Sequence, residues 1–154
     1  MALGYFCYLL IFKNNPLYTV TLIVDDGSTS EKENPPMENL CKKILEIKNI
    51  QFAGIIDTMG NLYAGGFKKG VIPRLGDVER RQMYMKFALE SCFRKDFDDS
   101  LGTFRSAVIQ RDNSTIFTFN ICNYLLLVLT DSPNVSGTLM TQVQNLVLNN
   151  KKEN

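Results

Sequence analysis

Histidine is absent from this chain of 154 residues. That absence removes the commonest general base, the Ser–His and Cys–His nucleophile pairs and the commonest zinc ligand. Cysteine is sparse. Cys7, Cys41, Cys92 and Cys122 stand far apart with no C-x-x-C, which argues against a structural zinc site. Three of the four fall at core positions of expected elements, as suits buried free thiols in a reducing cytoplasm, although an even count also allows two disulfides. Net charge is nearly balanced at +1, so the whole-chain field favours neither nucleic acid nor an acidic partner. Long apolar runs are missing as well. The uncharged run Met1–Phe12 is interrupted by Lys13 and Pro16, short of the roughly 20 residues of a membrane helix. It also lacks the basic start and small-residue cleavage site of a signal peptide. Neither G-x-x-x-x-G-K-[ST], G-x-G-x-x-G nor G-x-S-x-G occurs. No catalytic residue, cofactor site, metal site, nucleic-acid partner or membrane partner is expected.

What remains is an ordinary globular composition, 45% hydrophobic and 21% charged, in a chain long enough to bury a core as one domain. Residues 1–36 differ from the rest. After the apolar start comes a β-branched run, Leu17–Val24, then the polar stretch Asp25–Pro36 closed by Pro35-Pro36. This reads as an N-terminal extension and linker, either a β-hairpin or not part of the functional protein, for which Met37 is a candidate start. Residues 37–150 form the expected domain, and residues 151–154 a polar tail.

From Met37 the periodicity is clear. Met37–Lys48 places Leu40, Cys41, Ile44, Leu45 and Ile47 on one helical face. Phe52–Asp57 and Leu62–Phe67 form a hairpin, with a two-residue turn at Gly60-Asn61 that needs positive φ. The loop from Lys68 to Gly76 leads to a long helix from Asp77, its expected N-cap, to about Phe97. Strands follow at Phe104–Gln110, Thr115–Ile121 and Asn123–Thr130, then a helix at Val135–Asn149 with Leu139, Val143, Leu146 and Val147 facing inwards. The order αββαβββα defines an α+β fold. Ala53–Ile56 and Tyr124–Leu129 are apolar on both faces and belong at the sheet centre, whereas Phe104–Val108 mixes polar and apolar residues as an edge does. The expectation is a five-stranded antiparallel sheet, flanked by helices, with its first and fifth strands adjacent.

That element order, the hairpin FAGIIDTMGNLYAGGF and the NYLLLVLTD strand before the last helix resemble the roadblock/LC7 family and, more broadly, longin and profilin-like scaffolds. The resemblance covers roughly residues 37–149. The hairpin together with MYMKFAL and KDFDD is also similar to a group of small archaeal proteins. The roadblock resemblance implies a non-catalytic, cytoplasmic scaffold or regulatory module, dimeric, that binds a small GTPase or another protein partner. Profilin-like and PAS-like sheets suggest a second reading, a small-molecule sensor whose ligand lies between sheet and helix.

The long helix carries two apolar stripes. Val78, Met85, Leu89 and Cys92 are expected to cover the sheet, which leaves Met83, Tyr84, Phe87 and Phe93 surplus to a monomer. With Arg80 and Arg81, and with Phe104, Ser106 and Val108 of the edge strand, these form the candidate interface. In the sensor reading the same surplus stripe lines a pocket. Lys68, Lys69, Arg74, Arg80, Arg81 and Lys86 make a basic cluster that reads as a solvated face or as a surface for an acidic protein. Gly65–Gly70 is expected to be a strand-end bulge and solvated loop. Asp96, Asp98 and Asp99 begin like a calcium loop, but Leu101 replaces its glycine and Ala107 its glutamate, so surface pairing with Arg94 or Lys95 is the simpler account.

Overall fold

A computed structural model describes residues 35–132 and 137–153; expectations for the extension at 1–34 lie outside the described residues. The chain runs α1 (Pro35–Leu45), β1 (Ile50–Ile56), β2 (Leu62–Phe67), α2 (Asp77–Lys95), α3 (Asp98–Leu101), β3 (Ser106–Arg111), β4 (Ser114–Ile121), β5 (Tyr124–Thr130) and α4 (Gly137–Glu153). All strand pairs are antiparallel in the order β2-β1-β5-β4-β3. The first and fifth strands are therefore neighbours, as their two-sided apolar character demands. The single-turn helix α3 is additional to the expected order.

Local chemistry moved several boundaries. Pro35 and Pro36 open α1 rather than close a linker. Proline lacks an N–H where the first helical turn needs none. The helix ends at Leu45, three residues earlier than expected, and Asn49 at φ 71 turns the chain into β1. Helix α2 takes Gly76 as its N-cap, with the Glu79 carboxylate accepting from the Gly76 N–H at 3.0 Å, so Asp77 is the first helical residue and not the cap. Strand β3 starts at Ser106 instead of Phe104. The Phe104 N–H donates to the Asp98 carboxylate at 2.8 Å, and its carbonyl accepts from the Asn120 side chain at 2.8 Å. The last helix continues through residues 151–153, expected as a tail.

The hairpin tip also differs. Ile56 pairs with Leu62, leaving a five-residue loop instead of a two-residue turn, and the register shifts there rather than at Gly65-Gly66. Asp57 organises the loop. Its carboxylate accepts from the N–H groups of Met59 and Asn61 at 2.9 Å and from the Asn61 side chain at 3.0 Å. Partial burial opposes the charge, but these bonds outweigh it and hold the Asp57 carboxyl below its usual range. Gly60 adopts φ +79 and lies against the backbone of Met85 on α2.

Helices cover both faces of the sheet. Helices α1 and α4 seal the larger core, built on Leu40, Cys41, Ile44, Ile55, Phe117, Leu126, Val128 and Val143. Leu139, Val143, Leu146 and Val147 of α4 all contribute to it. Helix α2 covers the other face through Tyr84 and Ala88, packed on Phe52, Ile56, Leu125 and Leu127. Of the cysteines, Cys41 is buried and free, while Cys92 and Cys122 are exposed and free. Cys92 therefore does not occupy the core position expected for it.

Candidate functional site: the two flanks of the long helix

The two stripes of α2 have largely exchanged roles, although Phe93 of the second stripe is exposed as well. Tyr84, expected at an interface, is only 7% exposed and stacks on Phe52 with ring centroids 5.8 Å apart. Burial raises its phenol pKa against the opposing pull of Arg80. Val78, Met85 and Leu89, expected in the core, are 72%, 51% and 56% exposed. Both stripes recur at helical spacing, so periodicity alone could not rank them. Small residues decide the matter. Ala88 and Ser91 follow Tyr84 at i+4 and i+7, let the helix approach the sheet, and supply a hydroxyl that donates to Asn120 Oδ1 at 2.9 Å. Gly54 makes room within the sheet for the ring on which Tyr84 stacks: a Cβ there would fall 2.4 Å from the Phe52 ring.

On one flank of α2 an open cleft of about 690 Å³ separates the helix from strands β5, β4 and β3. Its floor is Leu129, Ile116 and Ile109, its wall Met83 and Phe87, and its end the loop bearing Ile72, Pro73 and Leu75. That loop is fastened by Arg74, which donates to the Asn113 carbonyl at 3.4 Å, and by Arg80, which donates to the Leu75 carbonyl at 2.9 Å. Arg80 also pairs with Asp77 and lies over the Phe67 ring at 5.6 Å. Its charge is thus used within the chain. Lys86 and Arg111 stand at the mouth of the cleft.

The remaining expected interface residues are dispersed. Met83 and Phe87 are half-buried on the cleft side; Phe93 and Arg81 are exposed. Phe104 is half-buried under the Arg94 guanidinium, 5.5 Å from the ring centroid. Ser106 is half-buried and Val108 exposed on β3. Of the acidic cluster, Asp98 accepts from the Phe104 N–H, and Arg94 pairs with Glu90, not with an aspartate. Among the described residues no group of three or more cysteine or acidic side chains is placed to hold a metal ion, and no helix is long and apolar enough to cross a membrane.

The sheet edges are unequal. Strand β2 is shielded by α1: the Gly65 N–H, which points away from β1, donates to the Glu38 carboxylate at 2.8 Å. Gly65 at φ +80 has no room for a side chain, because a Cβ would lie 2.2 Å from the Ala53 carbonyl and 2.7 Å from Cys41 Sγ. The Cys41 thiol is pushed up to about 12, first by burial and then by the Glu38 carboxylate. Strand β3 forms the other edge and has no strand on its outer side among the described residues. Such an edge is open to pairing.

A model of a family of unknown function, DUF6659, matches residues 30–148. Among curated proteins, none matches in sequence. Solved structures do match in fold. A roadblock/LC7 domain from Streptomyces avermitilis is 13% identical with a TM-score of 0.56, over 75% of this chain and 95% of that one. MglB of Myxococcus xanthus is 10% identical with a TM-score of 0.61, over 79% and 89%. The gliding protein MglB from Thermus thermophilus is 15% identical with a TM-score of 0.59, over 78% and 93%. The fold is roadblock/LC7-like.

Proposed function

The chain belongs to DUF6659, a family of unknown function, and on that footing we propose that it is a non-catalytic protein–protein interaction module. In this reading it works as a homodimer in the cytoplasm and presents that dimer to a protein partner, of which a small GTPase is the first candidate. The carrying observation is the outer edge of β3, which has no strand partner among the described residues and lies beside an apolar cleft. A second copy related by a two-fold axis would supply the missing strand and cover Ile109, Met83 and Phe87 together. The exposed free thiols of Cys92 and Cys122 suit a reducing compartment.

Light scattering coupled to gel filtration tests the dimer. The wild type is expected to run at twice the chain mass at tens of micromolar. Met83→Glu with Ile109→Lys is expected to give a monomer with an unchanged circular dichroism spectrum. A wild-type monomer at that concentration overturns the reading. The volume of the cleft favours a second reading, a small-molecule sensor, because about 690 Å³ is the size of ordinary ligand sites. Native mass spectrometry separates the two: a monomer carrying a co-purifying small molecule supports the sensor, and a dimer without one supports the module.

A further inference from the structure

We infer that the flank of α2 facing away from the cleft is a second docking surface, shaped for an acidic amphipathic helix of a partner protein. This rests on the protein-interaction reading and names the chemistry of the partner. Val78, Met85 and Leu89 recur at i, i+7 and i+11, which at about 100° per residue keeps them within roughly 40° of one line along about 17 Å of helix. All three are more than half exposed. The hairpin tip widens the stripe: Gly60 lies on the Met85 backbone, and its neighbour Met59 is 73% exposed. A straight ridge of aliphatic side chains beside a shallow tip is the surface onto which another helix packs ridge into groove. Val78, Met85 and Leu89 do not line the cleft, which takes Glu79, Met83, Phe87 and Glu90 from α2; Gln82 and Lys86 lie between the two surfaces and also border the cleft.

Charge selects the partner. The acids of α2 that could balance its cations are already engaged: Asp77 by Arg80, Glu79 by the Gly76 N–H and Glu90 by Arg94. Arg81 and Lys86, which border the ridge on its two sides, have no ion pair among the described residues. A docking helix with an apolar stripe and flanking carboxylates would meet both. Asp96, in line with the ridge at its far end, would repel an acid there and so fix the direction of that helix.

The test uses the full chain and a fluorescent synthetic helix with leucines at i, i+4, i+7 and i+11 flanked by glutamates, and a second peptide with lysines in their place. Fluorescence anisotropy is expected to show submillimolar binding of the acidic peptide and at least tenfold weaker binding of the basic one. Leu89→Gln, an exposed substitution, should weaken the acidic peptide tenfold or more. Arg81→Glu with Lys86→Glu should reverse the preference. Equal binding of the two peptides, no binding of either, or indifference to Leu89→Gln overturns the inference. If Leu89→Gln instead halves the mass seen by light scattering, the ridge is a seam between copies and the inference also fails. Failure of the dimer reading is separate: it shows in the wild-type mass and in the Met83→Glu, Ile109→Lys variant, whatever the peptides do.

Discussion

Replacing Gly60 by alanine separates two costs that are usually entangled. The residue sits at φ +79, and an added Cβ would lie 2.6 Å from both the Cα and the N of Met85 and 2.9 Å from its Cγ. The left-handed backbone costs an alanine about 1–2 kcal/mol. The contact adds more, since carbon pairs prefer about 3.5–4.0 Å and the closest atoms belong to a helix backbone that cannot rotate away. Overpacking of this kind costs about 1–3 kcal/mol. The expected total is about 2–5 kcal/mol, a large share of the roughly 5–15 kcal/mol that stabilises a domain. In thermal unfolding it should lower Tm by roughly 10 °C or more. Gly70 is the internal control, at φ +85 with nothing near its missing Cβ. Gly70→Ala carries the backbone cost alone, about 1–2 kcal/mol. Both alanines restrict the unfolded chain equally, so that contribution cancels in the comparison. Equal losses of Tm for the two variants would refute the close packing of the hairpin tip on α2.

Thiol labelling in the native state at pH 8 should modify Cys92 and Cys122 and spare Cys41, as read by mass spectrometry of digests; rapid Cys41 labelling would show that α1 does not seal its core. The fold favours the neutral Cys41 thiol, so the stability it contributes is intact below the free value of 9.0 and lost as pH climbs from there towards about 12. Cys41→Ala should flatten that alkaline decline in urea titrations. Glu38→Ala should cost about 1–3 kcal/mol by orphaning the Gly65 N–H, whereas Glu46→Ala on an exposed site should be neutral within about 0.5 kcal/mol.

Much of the fold was legible because two-sided apolar strands can sit only at a covered sheet centre. Tyr124–Leu129 and Ala53–Ile56 announced their places in that way. The faces of α2 were not legible in the same way, since its two stripes share one period. What separates them is the close approach permitted by Ala88 and Ser91 to a Phe52 ring seated over Gly54, a surface the helix meets only in three dimensions. The spacing Tyr84–Ala88–Ser91 was the available signal. The edge role of β3 could be read from its mixed polarity. The cleft could not, because it is lined jointly by α2, by three strands and by a loop that Arg74 and Arg80 tether. The tip of the first hairpin was misjudged because Asp57 replaces turn geometry with its own side-chain bonds.

Growth of a β assembly requires every unit to be divalent, accepting a neighbour on one side and offering a template on the other. Here Glu38 occupies an outward N–H of β2 and Gly65 bends that side out of extended geometry, while β3 carries no comparable block. Among the described residues the sheet thus has one open edge and one partly obstructed edge. Joining through β3 would use the open edge of both participants and leave outward only the obstructed β2 edges, a poor template for fibre propagation. Larger assemblies of the described domain would then have to draw on side-chain contacts, which mutation can tune without touching the sheet.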